Sequence, residues 1–336
     1  MAKIPVFTTE QATAGLRQTI HGKAANFYAM YSSVLGGIVT DPALMVLPLD
    51  DHMVHRGHGV FDTATLTRGM LYQLDAHLDR LIKSAEGARI PLPFSRDDLR
   101  RIILATAAAS RRRDGSVRYW LSAGPGGYGL GPAECVGSSF YVIVFKQEAY
   151  PESYYQEGIK LVTSQVPIKP PLFARIKSTN YLPNVLVVLE AKDRGADNGV
   201  FIDQRGMVAE SSNMNVAFVT QDRVFRHPPF DAILSGITIY RVLDFAQRLV
   251  QAGALNAVRS ADIPVEEGRD AAEMMLIGSS IKVAPVVEWD GQKIGDGKPG
   301  PITEKLLEMW NEDSKSANDQ LVAVPYKEGT RPDSIT

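Results

Sequence analysis

The stretch FARIKSTNYLPNVL, residues 173–186, sets one lysine, Lys177, in a short join between two regular elements. Upstream, KLVTSQVPIKPP (160–171) reads as a strand that ends in prolines. Downstream, LPNVLVVLEAKDRG (182–195) reads as a helix stopped by Gly195. A lysine in such a join is either a solvated loop charge or an amine aimed into a cleft, and loop residues are mostly solvated. The stretch alone leaves both readings open, so the rest of the chain has to decide.

Before the join, the chain reads as an N-terminal arm (1–26), a small α+β domain (27–147) and a polar linker (148–158). In the small domain, VFDTATLTRGMLYQL (60–74) predicts a hairpin turning at Arg68-Gly69. DAHLDRLIKSAEGARI follows as a helix with Leu78, Leu81, Ile82 and Ala85 on one face. A second helix opens at the Ser95 cap with Asp97 and Asp98 in its first turn. Strands return at 116–124 and 138–146. After the linker comes a larger domain (159–325), with strands near 159–166, 199–203, 207–210, 213–219, 273–278 and 282–289 and helices near 182–194, 236–252 and 302–312. Residues 326–336 read as a polar tail.

The composition of the 336 residues is that of a globular protein, 45% hydrophobic and 22% charged, with enough apolar material for a sizeable core. A net charge of −2 offers no general attraction to nucleic acid or to an anionic membrane. No apolar run approaches the roughly 20 residues of a membrane-spanning helix. The single cysteine, Cys135, cannot form an internal disulfide and fits a reducing compartment. A cytoplasmic location is expected, with a plastid or other organelle as the alternative if a transit peptide has been removed.

Several groups carry chemistry. LSGITIYRVLDFAQRLV (234–250) is an amphipathic helix introduced by Gly236, and such a helix start can present backbone N–H groups and the Thr238 hydroxyl to an anion. MMLIGSS (274–280) runs an apolar strand into Ser279 and Ser280, a second place for a phosphate. Arg80 brings a planar fork suited to phosphate oxygens. Glu210 falls where a strand ends before the Ser211-Ser212-Asn213 bend, placed either to hold a protonated ring nitrogen or as a solvated turn residue. His52, His55 and His58 recur at three-residue spacing, but no cysteine and no HExxH pattern supports them, and no metal is expected.

The segments AHLDRL, RIKSTNYLPNVL, VAESSNMNVAF, LSGIT, MMLIGSS and DGKPGPIT are all present, and jointly they resemble the fold-type IV pyridoxal 5′-phosphate (PLP) enzymes. MYSSVLGGIVTDPALMVLPLDDHMVHRGHGVFDTA and RYWLSAGPGG are most similar to the plant-type D-amino acid aminotransferase branch. The resemblance covers about residues 30–325. It implies two domains, a small α+β one and a larger barrel-like one, with the site between them and a homodimer completing it. It implies Lys177 as the Schiff-base lysine, Glu210 as partner of the pyridine nitrogen, and Arg80, Ile237, Thr238 and Ser279 as the phosphate grip. Tyr181 and Asn180 are expected near the cofactor, and Phe61 near the substrate. AGPGGYGLG lacks the Arg-x-His carboxylate trap of the bacillus-type enzymes, so Arg56 is expected as the substitute anchor, with an ion pair to Asp50, Asp51 or Asp62 as its alternative. The implied reaction passes an amino group between a D-amino acid and a 2-oxo acid such as pyruvate or 2-oxoglutarate. Aminodeoxychorismate lyase and branched-chain or (R)-amine aminotransferase chemistry are the alternatives.

Overall fold

The computed structural model describes residues 4–20, 22 and 24–326, and the chain divides into two compact units, residues 1–147 with 321–336 and residues 148–320. Its helices are α1 (Thr9–Gln18), α2 (His52–Arg56), α3 (Leu74–Gly87), α4 (Arg96–Ala109), α5 (Ser153–Gln156), α6 (Pro171–Ala174), α7 (Leu182–Asp193), α8 (Ile237–Gln251), α9 (Val265–Arg269) and α10 (Pro301–Asp313). Its strands are β1 (Phe27–Ser32), β2 (Gly37–Val39), β3 (Gly59–Thr67), β4 (Met70–Tyr72), β5 (Gly115–Ser122), β6 (Ser139–Phe145), β7 (Ile159–Thr163), β8 (Asn198–Ile202), β9 (Val208–Ser211), β10 (Asn215–Val219), β11 (Val224–His227), β12 (Ala257–Ser260), β13 (Glu273–Gly278), β14 (Lys282–Trp289), β15 (Gln292–Lys293) and β16 (Leu321–Ala323).

The first unit is an antiparallel seven-stranded sheet in the order β16-β4-β3-β5-β6-β1-β2. Alternation along β3 buries Val60, Asp62, Ala64 and Leu66 on one face, and α3 packs there with Leu74, Leu78 and Leu81. The β3–β4 hairpin turns through Arg68 (φ 50°) and Gly69 (φ 79°), the pair of left-handed residues that a tight two-residue hairpin requires. Residues 321–323 were expected in the larger domain; they pair instead as β16 with β4 of this unit. A three-residue strand is too short to carry a pattern, and the open edge of β4 supplies its backbone partners. The tail beyond residue 326 lies outside the described residues.

In the second unit, β10-β13-β14-β7-β8-β9 follow one another, and β9 pairs back to β10, so six strands close into a barrel. Val216, Phe218, Leu276, Ala284, Val286 and Trp289 belong to its buried core. Helix α7 covers the outside of β8, with Val187 packed among Phe201, Ala209 and Ile233. The segment read as a linker carries α5 and belongs to this unit. Strands β11 and β12 extend the sheet beyond β10 and were not anticipated, because VFRH and AVRS are short and half polar. Among the described residues no helix is long and apolar enough to cross a membrane.

The DGKPGPIT segment shows why a motif has its residues. Helix α10 has no side-chain cap of its own, since its N-cap is Gly300. The buried Glu273 at the start of β13 accepts from Ile302 N (3.0 Å), Thr303 N (2.8 Å) and Thr303 Oγ1 (2.7 Å) instead. A Cβ on Gly300 would lie 2.2 Å from Glu273 Cδ, so a glycine is required for the carboxylate to come so close. Glu273→Ala strands the helix-end donors and is expected to cost about 2–3 kcal/mol. Chemical denaturation of the variant beside the parent protein measures this, and a change under about 0.5 kcal/mol refutes it.

Candidate active site

Lys177 lies between the short helix α6 and α7, half-buried, and donates from Nζ to Tyr181 Oη at 3.0 Å. The Tyr181 ring has a second ammonium against it: Lys169 Nζ is 4.8 Å and Lys177 Nζ 5.4 Å from its centroid. Lys169 comes from the proline-flanked end of VPIKPP and was not expected in the site. Nothing in that stretch separates it from a loop charge until the chain folds back. Asn180 is exposed and bonds through its amide to Ser178 Oγ, beside the lysine in sequence.

Glu210 is buried near the end of β9. Its one hydrogen-bond donor among the described residues is Leu234 N, at 3.3 Å from Oε2. Burial pushes its pKa up to about 7, against the opposing pull of Lys169, the Leu234 N–H and Lys177. A carboxylate so poorly served by the chain is a strong acceptor waiting for a donor, and a protonated ring nitrogen is such a donor.

Leu234 also begins the anion cradle. Asn215, paired with Glu210 across β9 and β10, donates from Nδ2 to Leu234 O at 2.9 Å. A Cβ at Gly236 would sit 2.1 Å from Asn215 Oδ1, so glycine is what lets the two segments touch. Helix α8 starts at Ile237, the next residue, which leaves its first N–H groups pointing out of the helix end. The Thr238 and Ser279 hydroxyls, 41 residues apart in sequence, meet at 3.2 Å beside that end. Unpaired helix donors and two hydroxyls on one spot suit a phosphate dianion. Thus the second unit brings together Lys177, Tyr181, Glu210, Ile237, Thr238 and Ser279, with Lys169 and Asn215 as additions that sequence reading missed.

Arg80, Arg56 and Phe61 belong to the first unit. Arg80 forms a two-point pair with the buried Asp62, Nε to Oδ2 and Nη2 to Oδ1, both 2.8 Å, while His77 Nδ1 meets Oδ1 at 2.8 Å. Burial alone would raise the Asp62 pKa; Arg80 and then His77 outweigh it and hold the carboxyl far below the usual range. One edge of the Arg80 fork is therefore oriented by Asp62. Arg56 is exposed at the end of α2 and donates to three main-chain carbonyls: Tyr128 O (2.7 Å), His55 O (3.1 Å) and Gly129 O (3.3 Å). Asp51 is engaged by Tyr141 and Ser122, and Asp62 by Arg80 and His77, so Arg56 is paired with neither of them. Phe61 is half-buried on the sheet face opposite Asp62, with the Arg118 guanidinium 5.4 Å from its ring centre. Of the three histidines, His52 and His58 meet through their Nδ1 atoms at 3.1 Å, and His58 Nε2 donates to Ala88 O.

A pH dependence follows from Glu210. Its folded pKa is raised, so its contribution to stability is present below about pH 4.5, its unperturbed value, and is lost as pH rises through about 7. In the cofactor-free protein, Glu210→Gln is therefore expected to be the more stable form at pH 8 by ~2–3 kcal/mol, and equal to the parent near pH 5. Denaturant titrations of both proteins across this range test it, and a difference that does not vary with pH overturns it.

Known proteins resemble this chain along most of its length. The pattern of the amino-transferase class IV family matches residues 59–289. The chloroplastic D-amino-acid transaminase of Arabidopsis thaliana is 50% identical over 325 residues, 96% of this chain and 86% of that protein. The D-alanine aminotransferase of Bacillus licheniformis is 29% identical over 277 residues, 81% of this chain and 93% of that protein. The branched-chain amino acid aminotransferase of Thermobaculum terrenum, solved in its PLP form, superposes with a TM-score of 0.75 at 21% identity, over 86% of this chain and 94% of that one. The expected two-domain α+β fold with a barrel in its larger part is the fold observed, and the chain belongs to the class IV aminotransferase family.

Proposed function

We propose that this chain is a PLP-dependent aminotransferase that moves an amino group between a D-amino acid and a 2-oxo acid such as pyruvate or 2-oxoglutarate. The observation that carries the reading is Glu210: a buried carboxylate with one long backbone hydrogen bond, on the same site as an amine and an anion cradle. The similarity to a D-amino-acid transaminase at 50% identity favours D-amino acids over the lyase and branched-chain alternatives.

The residues divide the work by their chemistry. Thr238, Ser279 and the Ile237 N–H would hold the phosphate, and the family resemblance is what assigns Arg80, its fork oriented by Asp62, to the same group. Glu210 keeps a proton on the ring nitrogen, and the paired carboxylate then loses the cost of its isolation. PLP supplies an electron sink for the carbon next to the amino group. Lys177 Nζ would hold the cofactor covalently and, as a free amine, would take and return the Cα proton. Tyr181 Oη, 3.0 Å from Nζ, accepts its hydrogen bond and fixes its direction. Asn180 flanks the lysine. Arg56 and Phe61 serve the substrate side, Arg56 as the carboxylate anchor or as the brace of the Tyr128-Gly129 loop.

The enzyme works as a homodimer. The lone Cys135 suits a reducing compartment, cytoplasmic or, like the Arabidopsis relative, plastidic.

Borohydride reduction followed by peptide mapping tests the assignment. A pyridoxyl group on Lys177 is the expected result; a label on Lys169 or elsewhere with Lys177 unmodified overturns it. Glu210→Gln should still take the label yet turn over D-amino acids about 100-fold or more slowly. Unchanged turnover in that variant would remove Glu210 from the mechanism.

A further inference from the structure

The two hydroxyls assigned to the phosphate stand on separate elements, and one helix is tied to both. Thr238 lies in the first turn of α8, and Ser279 in the turn between β13 and β14. Three residues beyond each stands a long cation, Arg241 and Lys282, and both reach the last turn of α10. Arg241 makes a two-point pair with Asp313, Nε to Oδ2 at 3.0 Å and Nη2 to Oδ1, and the two side chains are only 15% and 10% exposed. Lys282 Nζ donates to Asn311 Oδ1 at 2.9 Å, 5.3 Å from the ring centre of the buried Trp310. Gly278 pairs with Lys282, so residues 279–281 form the turn, and Lys282 closes it in the left-handed conformation (φ 64°) that glycine or asparagine usually takes. What a lysine offers there that a glycine does not is a side chain long enough to reach α10. Tyr155 Oη donates to Ile281 O at 3.1 Å and holds the same turn. The other end of α10 is fixed as well, because Glu273 at the start of β13 accepts from Ile302 N and Thr303 N.

We propose that Arg241 and Lys282 are positioning residues for the phosphate site: through Asp313 and Asn311 they fasten the start of α8 and the β13–β14 turn to the same end of α10, and so preset the separation of the Thr238 and Ser279 hydroxyls. This role rests on the phosphate assignment made above and deepens it. The hydroxyls meet at 3.2 Å across 41 residues of sequence. An anion gains from both only if their spacing exists before it arrives, since ordering two elements at the moment of binding would consume part of the gain. Two polar ties to a 13-residue helix supply that order in advance. The Arg241 charge is met by Asp313, with Asp244 a further 3.6 Å contact, so its service is geometric and not a charge offered to the phosphate. A nearly buried ion pair is weak as a source of stability, because desolvation offsets its attraction, but it fixes the register of the elements it joins.

The test titrates the full-length chain, freed of cofactor, with PLP and with pyridoxal, which lacks the phosphate, and reads the imine absorbance. Three variants stand beside the parent: Arg241→Met combined with Asp313→Leu, Asn311→Leu, and Asn311→Asp. The first replaces an ion pair by apolar side chains of like volume, a change that is often neutral in stability. In it and in Asn311→Leu the Kd for PLP should rise about 10-fold or more, while the Kd for pyridoxal stays within about 2-fold of the parent. Asn311→Asp, whose carboxylate still accepts from Lys282, should keep the parent's affinity for both. The melting temperature of each cofactor-free chain is the control for a merely structural role. Weaker binding of PLP and pyridoxal alike, in step with a lower melting temperature, overturns the positioning role and makes α10 a general support. Should the double variant fail to fold, the Asn311 pair decides alone: equal PLP affinity in Asn311→Leu and Asn311→Asp overturns it. A parent chain that binds PLP, with every variant equal to it, removes the positioning role and leaves the reaction standing. A parent chain that takes up neither compound removes the phosphate assignment itself, so the two failures are distinguishable.

Discussion

The second unit depends on one strand pairing, Asn215 against Glu210, which closes the barrel between β10 and β9. A sheet that closes must bring its last strand to its first, and here the pair at the seam carries side chains of the proposed site. The seam buries Glu210, and Asn215 reaches from it to Leu234 O. Leu234 N in turn touches Glu210 Oε2, and two residues on, Gly236 passes under Asn215 and starts α8. The buried Glu210 carboxylate and the start of α8, to which we assign the ring nitrogen and the phosphate, are thus spaced by the seam of the barrel. The loop that carries Leu234 and Gly236 is held to that seam by the hydrogen bonds of Asn215 and Glu210.

Two buried carboxylates show how the same group is set to opposite tasks. Asp62 is enclosed by the Arg80 fork and His77, and attraction at hydrogen-bond distance overcomes the cost of burial, so it stays ionised and orients Arg80. Glu210 has lysines in its field but accepts only a long backbone hydrogen bond, so burial wins and its pKa rises. One carboxylate is complete within the chain. The other is left with one long backbone donor among the described residues.

The join that holds Lys177 is short because α7 starts soon after it, at Leu182, and α7 is held by Val187 against Phe201, Ala209 and Ile233. Asn184 ties the same helix to the Ser212 carbonyl, next to the end of β9 that carries Glu210. The helix therefore sets the lysine relative to the barrel with its inner face, and its outer face, with Leu182, Val185 and Leu189, stays exposed.

Much of the local structure was legible. The helices near 182–194, 236–252 and 302–312 and the hairpin at Arg68-Gly69 follow from apolar spacing, capping and turn chemistry, which act over a few residues. The ordered motifs also singled out Lys177, Glu210, Thr238 and Ser279, since each has a residue type and setting that its chemistry needs. What the sequence could not decide lies in contacts between distant segments. β16 joins β4 across about 250 residues, Lys169 turns back onto Tyr181, Arg56 bonds carbonyls more than 70 residues away rather than Asp51 or Asp62, and Glu273 caps a helix 30 residues on. Short segments such as VFRH and LVA have no period long enough to announce a strand. By itself the sequence determined the longer helices and strands and the residue types suited to the chemistry, because propensity and residue type are local. Only the tertiary structure decided which of those side chains meet, how Glu210 is left in want of a donor, and which face of α7 stays open, because burial and partnership arise when remote strands close on one another.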